Sequence, residues 1–243
     1  MILEGSLSVK AALLAGRREI ACVMIDRTKH DRDTAFIIRT AEKNGVPIRR
    51  MERTEIDALA EGRTHGGVLA EAGNRVYQEV GELPDKENLF VVLAEGVEDP
   101  FNLGYIMRTL YSAGCDGLLL KKRDWSFAEK TILRASAGAS EYINTVLCDD
   151  PVQTVETLKK TGMHVYAAMR KDAVVYTVPD YTGRVMIMLG GEMRGLSSSL
   201  LALADQNIYI PYANDFRNAL NAAGAAAVLS FEVLRQRTET GGH

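Results

Sequence analysis

Hydrophobic positions follow two rhythms along the chain: short unbroken apolar runs, and longer stretches with apolar residues three or four apart. The first suits strands covered on both faces, and the second suits helices. Residues 8–15 have helical spacing and stop at Gly16. Ile20-Ala21-Cys22-Val23-Met24-Ile25 is a strand run, and residues 34–43 read as a helix ended by Asn44-Gly45. Val46-Pro47-Ile48 predicts a second strand, residues 56–60 a short helix, and Gly67-Val68-Leu69-Ala70 a third strand. The alternation predicts a small α/β module over residues 1–75. Residues 76–88 carry charges, Gly81 and Pro84 with little periodicity, and read as a linker.

From residue 89 a second series begins. Strand runs are expected at 89–94, 117–120, 164–168, 185–189 and 208–210. Helical stretches are expected at 103–113 and 128–137, before Gly162, and in the Ala-rich stretch from Ala222 onward. Such alternation predicts a mostly parallel sheet with both faces covered. No internal repeat or low-complexity segment interrupts it. The fold class is therefore α/β, with a parallel C-terminal domain over 89–243 behind the small module.

Composition changes this picture little: 47% hydrophobic and 25% charged is ordinary for a globular protein. Met1-Ile2-Leu3-Glu4-Gly5-Ser6 lacks a basic start followed by an apolar run, so no secretory signal is expected. No apolar stretch approaches the roughly 20 residues of a membrane span. Cys22, Cys115 and Cys148 are scattered among apolar segments, which suggests buried free thiols in a reducing cytoplasm. The four histidines form no ligand pair, so no metal is expected. Net charge is −3, yet residues 1–75 carry 13 Lys+Arg against 11 Asp+Glu. Nucleic acid would have to be held by local basic patches rather than by the overall field. Lys121-Lys122-Arg123, after a strand, is one candidate, although such a run is commonly a solvated loop.

Ligands of parallel sheets gather at the carboxyl ends of strands. Three loops there carry candidate chemistry. The first runs from Glu95-Gly96 through Asp99-Pro100-Phe101-Asn102-Leu103-Gly104 to Arg108-Thr109. Asn102 is placed to cap the following helix, and a helix start with an arginine suits a phosphate. The second is Leu189-Gly190-Gly191-Glu192-Met193-Arg194-Gly195-Leu196, whose glycines permit close backbone approach to a ligand. Its spacing is not the G-x-G-x-x-G of dinucleotide enzymes, which disfavours a doubly wound oxidoreductase. The third runs from Ile210-Pro211-Tyr212 through Asn214, Asp215 and Asn218 to Ala219-Leu220-Asn221, directly into the Ala-rich helix.

Together these loops resemble the three signature motifs of the SpoU (TrmH-like) methyltransferases of the SPOUT superfamily. Asn102, Gly104, Arg108 and Thr109 match the first; Gly190, Glu192, Gly195 and Leu196 the second; Ile210, Pro211, Leu220 and Asn221 the third. Ser136-Ala137-Gly138-Ala139 is similar to a further family stretch, and Ile2 to Gly5 with Thr64-His65-Gly66-Gly67 resemble the ends of the family's small RNA-binding domain. The resemblance implies a trefoil-knotted catalytic domain, a homodimer, S-adenosylmethionine as methyl donor, and transfer to a ribose 2′-hydroxyl of RNA, ribosomal rather than transfer RNA. It implies catalytic roles for Arg108, Asn102, Glu192 and Asn221. It also implies cofactor contacts, chiefly through main chain, at Leu189, Gly190, Gly191, Ile210, Tyr212, Ala219 and Leu220. Two positions depart from the usual pattern: Ala219 stands where the family commonly has Ser, and Gly191 where it often has Asn. These departures keep open a binding protein with weak or no catalysis, and a base rather than a ribose remains a possible acceptor within the same fold.

Overall fold

The structure is a computed structural model that describes every residue except Glu192, Phe216, Arg217 and 241–243, with the side chain of Thr240 also left aside. The chain opens with β1 (Ile2–Glu4), α1 (Ser6–Ala15), β2 (Ile20–Asp26), α2 (Arg32–Lys43), β3 (Ile48–Met51), α3 (Arg53–Leu59) and β4 (Val68–Ala72). A helical turn at Val80–Glu82 follows, then β5 (Phe90–Glu95), α4 (Pro100–Ser112) and β6 (Gly117–Lys121). Next come α5 (Glu129–Ala135) and α6 (Ala139–Tyr142). Then follow β7 (Thr145–Cys148), α7 (Pro151–Lys159), β8 (His164–Ala168), β9 (Ala173–Val175), β10 (Val185–Gly190), α8 (Ser198–Leu201), β11 (Gln206–Tyr209) and α9 (Ala222–Thr240).

Two compact units result, Met1–Val76 with Ser126–Tyr142, and Tyr77–Trp125 with Ile143–His243. The first unit has a sheet in the order β1-β4-β2-β3, in which only β2 and β3 run parallel. Alternation along β2 divides its cover. Val23 and Ile25 pack with Val9 and Leu13 of α1, Ile37 of α2 and Leu133 of α5; Cys22 and Met24 pack with Ile56 of α3 on the other face. Ser126–Tyr142 lies between β6 and β7 in sequence, yet its Leu133 belongs to this core.

A buried ion cluster fastens that segment. Arg18 gives two hydrogen bonds to the Glu141 carboxylate, at 3.1 and 2.8 Å, and one to Glu129 at 2.9 Å. It also donates to the carbonyl of Gly73 at 3.1 Å. Burial works against the Arg18 charge, but the hydrogen bonds and field of Glu141 and Glu129 outweigh it and hold the guanidinium above its usual range.

The second unit is a seven-stranded sheet in the order β7-β6-β5-β10-β8-β11-β9, parallel at every pairing. Its central strands are the unbroken apolar runs, as burial on both faces requires. Leu93, Leu119, Val165, Met186 and Met188 share one core with Val155 and Leu158 of α7. On the other side α4 packs against α9, whose small residues admit a close neighbour.

Several elements differ from the sequence expectation. The second strand lies at Ile48–Met51 rather than 46–48: Pro47 lacks an N–H, and its carbonyl instead accepts from Val23 at 2.9 Å. The helix expected over 128–137 ends at Ala135, because Ala137 and Gly138 take positive φ and turn the chain into α6. Strands β1, β7 and β9 are too short to stand out by periodicity.

Candidate active site

Since all seven strands are parallel, the ends of β5, β8, β10 and β11 share one edge. From β5 the chain moves outward through β6 to β7, whereas β10 and β8 lie on the opposite side of β5. The sheet order therefore reverses between β5 and β10, the place where open parallel sheets leave a crevice.

The two loops at that reversal meet through their backbones. A Cβ on Gly190 would stand 2.4 Å from the carbonyl carbon of Gly195, and one on Gly191 would stand 2.1 Å from the carbonyl oxygen of Gly96. No side chain fits at either position without moving a loop. Gly191 N–H donates to Glu95 O at 2.6 Å, and Gly195 N–H to Gly191 O at 3.0 Å. The Glu95 carboxylate accepts from Ser197 N–H at 2.6 Å and so fixes the far end of the second loop to β5. The departure at position 191 thus has a steric cause here: the approach of Gly96 leaves no room for Asn.

The third loop closes onto this edge. The Tyr212 hydroxyl accepts from Leu220 N–H at 2.7 Å, and the Arg170 guanidinium lies 4.3 Å from the centre of the Tyr212 ring. The Asn221 side chain accepts from Gly224 N–H at 2.8 Å and caps α9. Between the second and third loops lies a cavity of about 480 Å³. All seven positions expected to hold a cofactor, Leu189, Gly190, Gly191, Ile210, Tyr212, Ala219 and Leu220, line it. Leu196 and Leu229 add apolar wall, and Arg170 and Arg194 add positive charge.

The expected catalytic residues are placed differently. Asn102, Arg108 and Asn221 are not among the lining residues of this cavity, and Glu192 lies outside the described residues. Asn102 does not cap α4. Asp99 does, accepting Asn102 N–H at 2.9 Å, because Pro100 occupies the first helical position and makes its predecessor the cap. Arg108 is exposed on α4. At about 100° per residue it shares a face with Phe101 and Tyr105, while Asn102 lies about 120° away. The packing of α4 on α9 brings this helix beside the one that Asn221 caps.

Sequence reasoning gave no role to Glu95, Arg170 or Arg194. A carboxylate ending a strand directly before a glycine was the available signal for Glu95. Each arginine, following a strand end, resembles any solvated cation. The thiols offer no nucleophile: burial pushes Cys115 up to about 12 and raises Cys22 and Cys148 as well. Among the described residues no cluster of His, Cys, Asp or Glu could hold a metal, and no helix is long and apolar enough to cross a membrane.

Comparison with known proteins places this geometry. A model of the SpoU rRNA methylase family matches residues 89–231, and a model of the RNA 2′-O ribose methyltransferase substrate-binding domain matches residues 2–78. A Staphylococcus saprophyticus protein assigned to the TrmH family of tRNA/rRNA methyltransferases is 29% identical, covering 99% of this chain and 98% of the relative. Among solved structures, the SpoU methyltransferase AviRb of Streptomyces viridochromogenes, in complex with AdoMet, superposes with a TM-score of 0.80. It shares 22% identity over 98% of this chain and 90% of its own. The AdoMet-bound rRNA methyltransferase of Sinorhizobium meliloti gives 0.80 at 24% identity, over 96% and 86%. At these identities the likeness speaks for the fold.

Proposed function

We propose that this chain, which belongs to the SpoU rRNA methylase family, transfers a methyl group from S-adenosylmethionine to a ribose 2′-hydroxyl of RNA, ribosomal before transfer RNA. One coincidence of place carries the reading: the seven positions expected to meet the cofactor, drawn from two loops about 20 residues apart, line one cavity. About 480 Å³ falls in the range of small-ligand sites, roughly 300–1,000 Å³. Its walls suit an adenosine, with aliphatic side chains for the ring faces and main chain at Gly190, Gly191, Ile210 and Leu220 for the polar edges. Arg170 and Arg194 offer charge for a carboxylate.

S-adenosylmethionine supplies an electrophilic methyl group on sulfur. The remaining work falls to the chain: align the hydroxyl, exclude water and let a proton go. Alignment alone can contribute roughly 7–11 kcal/mol. The Arg108 guanidinium carries donors and no acceptor, so it is not the base. It steers the hydroxyl and stabilises the charge growing on oxygen, while an RNA phosphate takes the proton. With Asp99 as the cap, Asn102 is left to position the substrate, Glu192 orders the second loop and Asn221 holds the third. The homodimer and the trefoil knot belong to the same reading. Phe101 and Tyr105 of α4 and Phe231 of α9, 55%, 48% and 47% exposed, give a second copy an apolar face beside Arg108. The three free buried thiols suit a reducing cytoplasm.

Ala219 favours a second reading, a protein that binds the cofactor or RNA with little transfer, since the cavity wall has no hydroxyl there. Labelled S-adenosylmethionine, unmodified bulk ribosomal and transfer RNA, and nucleoside analysis decide between them. A labelled 2′-O-methyl nucleoside that is lost in Arg108→Ala is the expected result. Cofactor binding without transfer would select the second reading, and a labelled base would replace the ribose.

A further inference from the structure

The first unit carries a groove between α1 and α2 that has no part in the site above. It is about 380 Å³ and is lined by Leu13, Leu14, Phe36, Arg39, Lys43 and Asn44, with Thr40 at its side. Asn44 closes one end by donating to the Leu13 carbonyl at 2.7 Å. Lys10 sits over the Phe36 ring, 4.5 Å from its centre, and Leu14 is left 48% exposed.

The charge pattern is what singles it out. Arg32, Phe36, Arg39 and Lys43 fall at steps of four, three and four residues, which places them within about 60° of arc on α2. Arg32, Arg39 and Lys43 are exposed and have no ion pair among the described residues. Cations elsewhere in the unit are largely committed: Arg27 to Glu52, Lys29 to Asp31, Arg53 to Asp57, Lys130 to Glu61, and Arg18 in its buried cluster. Of the others with no ion pair among the described residues, Arg49 and Arg50 lie on β3, where Arg50 donates to the carbonyls of Asp26 and Lys29, Arg63 lies between α3 and β4, and Arg134 lies on α5. The acids within α2 are Asp33, 3.9 Å from Lys10, and Glu42, both on the flanks of the stripe about 80–100° from its centre. A chain of net charge −3 thus gathers uncompensated positive charge along one helix face beside an apolar groove.

We propose that this α1–α2 groove is an RNA-backbone site in which Arg39 and Lys43, with Arg32 beside them, neutralise phosphates. Lys10, held over Phe36, adds a cation at the rim. The site supplies affinity without reading sequence, since phosphate contacts position a nucleic acid rather than identify it. It rests on the proposed action on RNA, and it adds a binding surface distinct from the cavity residues.

The full-length chain tests this with unmodified bulk ribosomal RNA as probe, by anisotropy across a salt series, using Arg39→Gln/Lys43→Gln and the charge-reversing Arg39→Glu/Lys43→Glu. Each phosphate contact on a single strand contributes about 0.7 to the slope of log affinity against log salt. The Gln pair is therefore expected to flatten the slope by about 1.4 and to weaken binding roughly 25-fold at 0.1 M salt. The Glu pair should weaken it further, with S-adenosylmethionine affinity and thermal unfolding unchanged in both. Unchanged RNA affinity and slope in folded variants overturns the groove and leaves the proposed transfer standing. Weakened binding in a chain that transfers no methyl group supports the groove and sinks the transfer. A wild-type chain that neither binds nor methylates RNA overturns both.

Discussion

The two units fasten distant pieces of chain by opposite chemistry. In the second, the loops after β5 and β10 meet glycine to glycine at Gly191 and Gly96, and the second loop folds on itself at Gly190 and Gly195, so both contacts are main chain on main chain. In the first, Ser126–Tyr142 is held to the start of the chain by Arg18 between two carboxylates, side chains 1%, 7% and 0% exposed. A backbone contact of the first kind tolerates no added carbon but takes no direction from its neighbours' charges. An ionic contact of the second kind depends on every partner, because removing one leaves the others charged and dry. The cavity belongs to the first kind. That fits a ligand met by carbonyls and N–H groups whose positions the close glycine contacts set.

The comparison can be broken most forcefully at Arg18. Arg18→Ala strands Glu129 and Glu141 and is expected to destabilise the first unit by about 3–5 kcal/mol in denaturant unfolding. Replacing all three ions with apolar residues of similar volume should restore most of that loss. A single variant that unfolds like the wild type would show the cluster is not a fastening. In the second unit, Gly191→Ala pushes a carbon against the Gly96 carbonyl, an overpacking that typically costs about 1–3 kcal/mol. S-adenosylmethionine affinity by calorimetry should drop about tenfold or more, at 1.4 kcal/mol per tenfold. Full affinity would mean that the loops move freely. Asn221→Ala removes the cap of α9 and should lower the melting temperature by about 2–4 °C, for about 1 kcal/mol.

The smallest effect treats both units alike. In each, an aspartate accepts from the backbone and hydroxyl of a threonine two residues on: Asp26 from Thr28, and Asp180 from Thr182. Those bonds hold both carboxyls below the usual range. A folded pKa below the unfolded value adds stability above about pH 4 and loses it as pH falls through the folded value. Melting curves of Asp26→Asn and Asp180→Asn should lie below the wild type at pH 7 and converge with it in acid. A gap that does not narrow as pH falls would contradict this.

What could be read in the sequence follows the range of the forces. Leu89 to Ala94 and Val185 to Leu189 announce central strands because burial on both faces leaves only apolar positions. Gly190, Gly191 and Pro211 mark tight turns locally, but the seven cavity positions follow only from the resemblance of these loops to the SpoU motifs. Thr145-Val146-Leu147-Cys148 hides a strand because four residues show no period. The return of Ser126–Tyr142 to the first unit was not legible, since Arg18 meets Glu129 across 111 residues and nothing near either residue points to the other. Asn102 misled because a capping residue type lay three positions past the true cap, and only Pro100 tells that Asp99 comes first.

The central claim is that the cavity between the second and third loops holds S-adenosylmethionine by main chain. A crystal structure of the chain grown with S-adenosylmethionine tests it most directly. The account predicts the adenosine between Leu189, Ile210 and Leu220, with its polar edges on backbone groups of the second and third loops. Density for the cofactor anywhere else, or an empty cavity at saturating concentration, would contradict it.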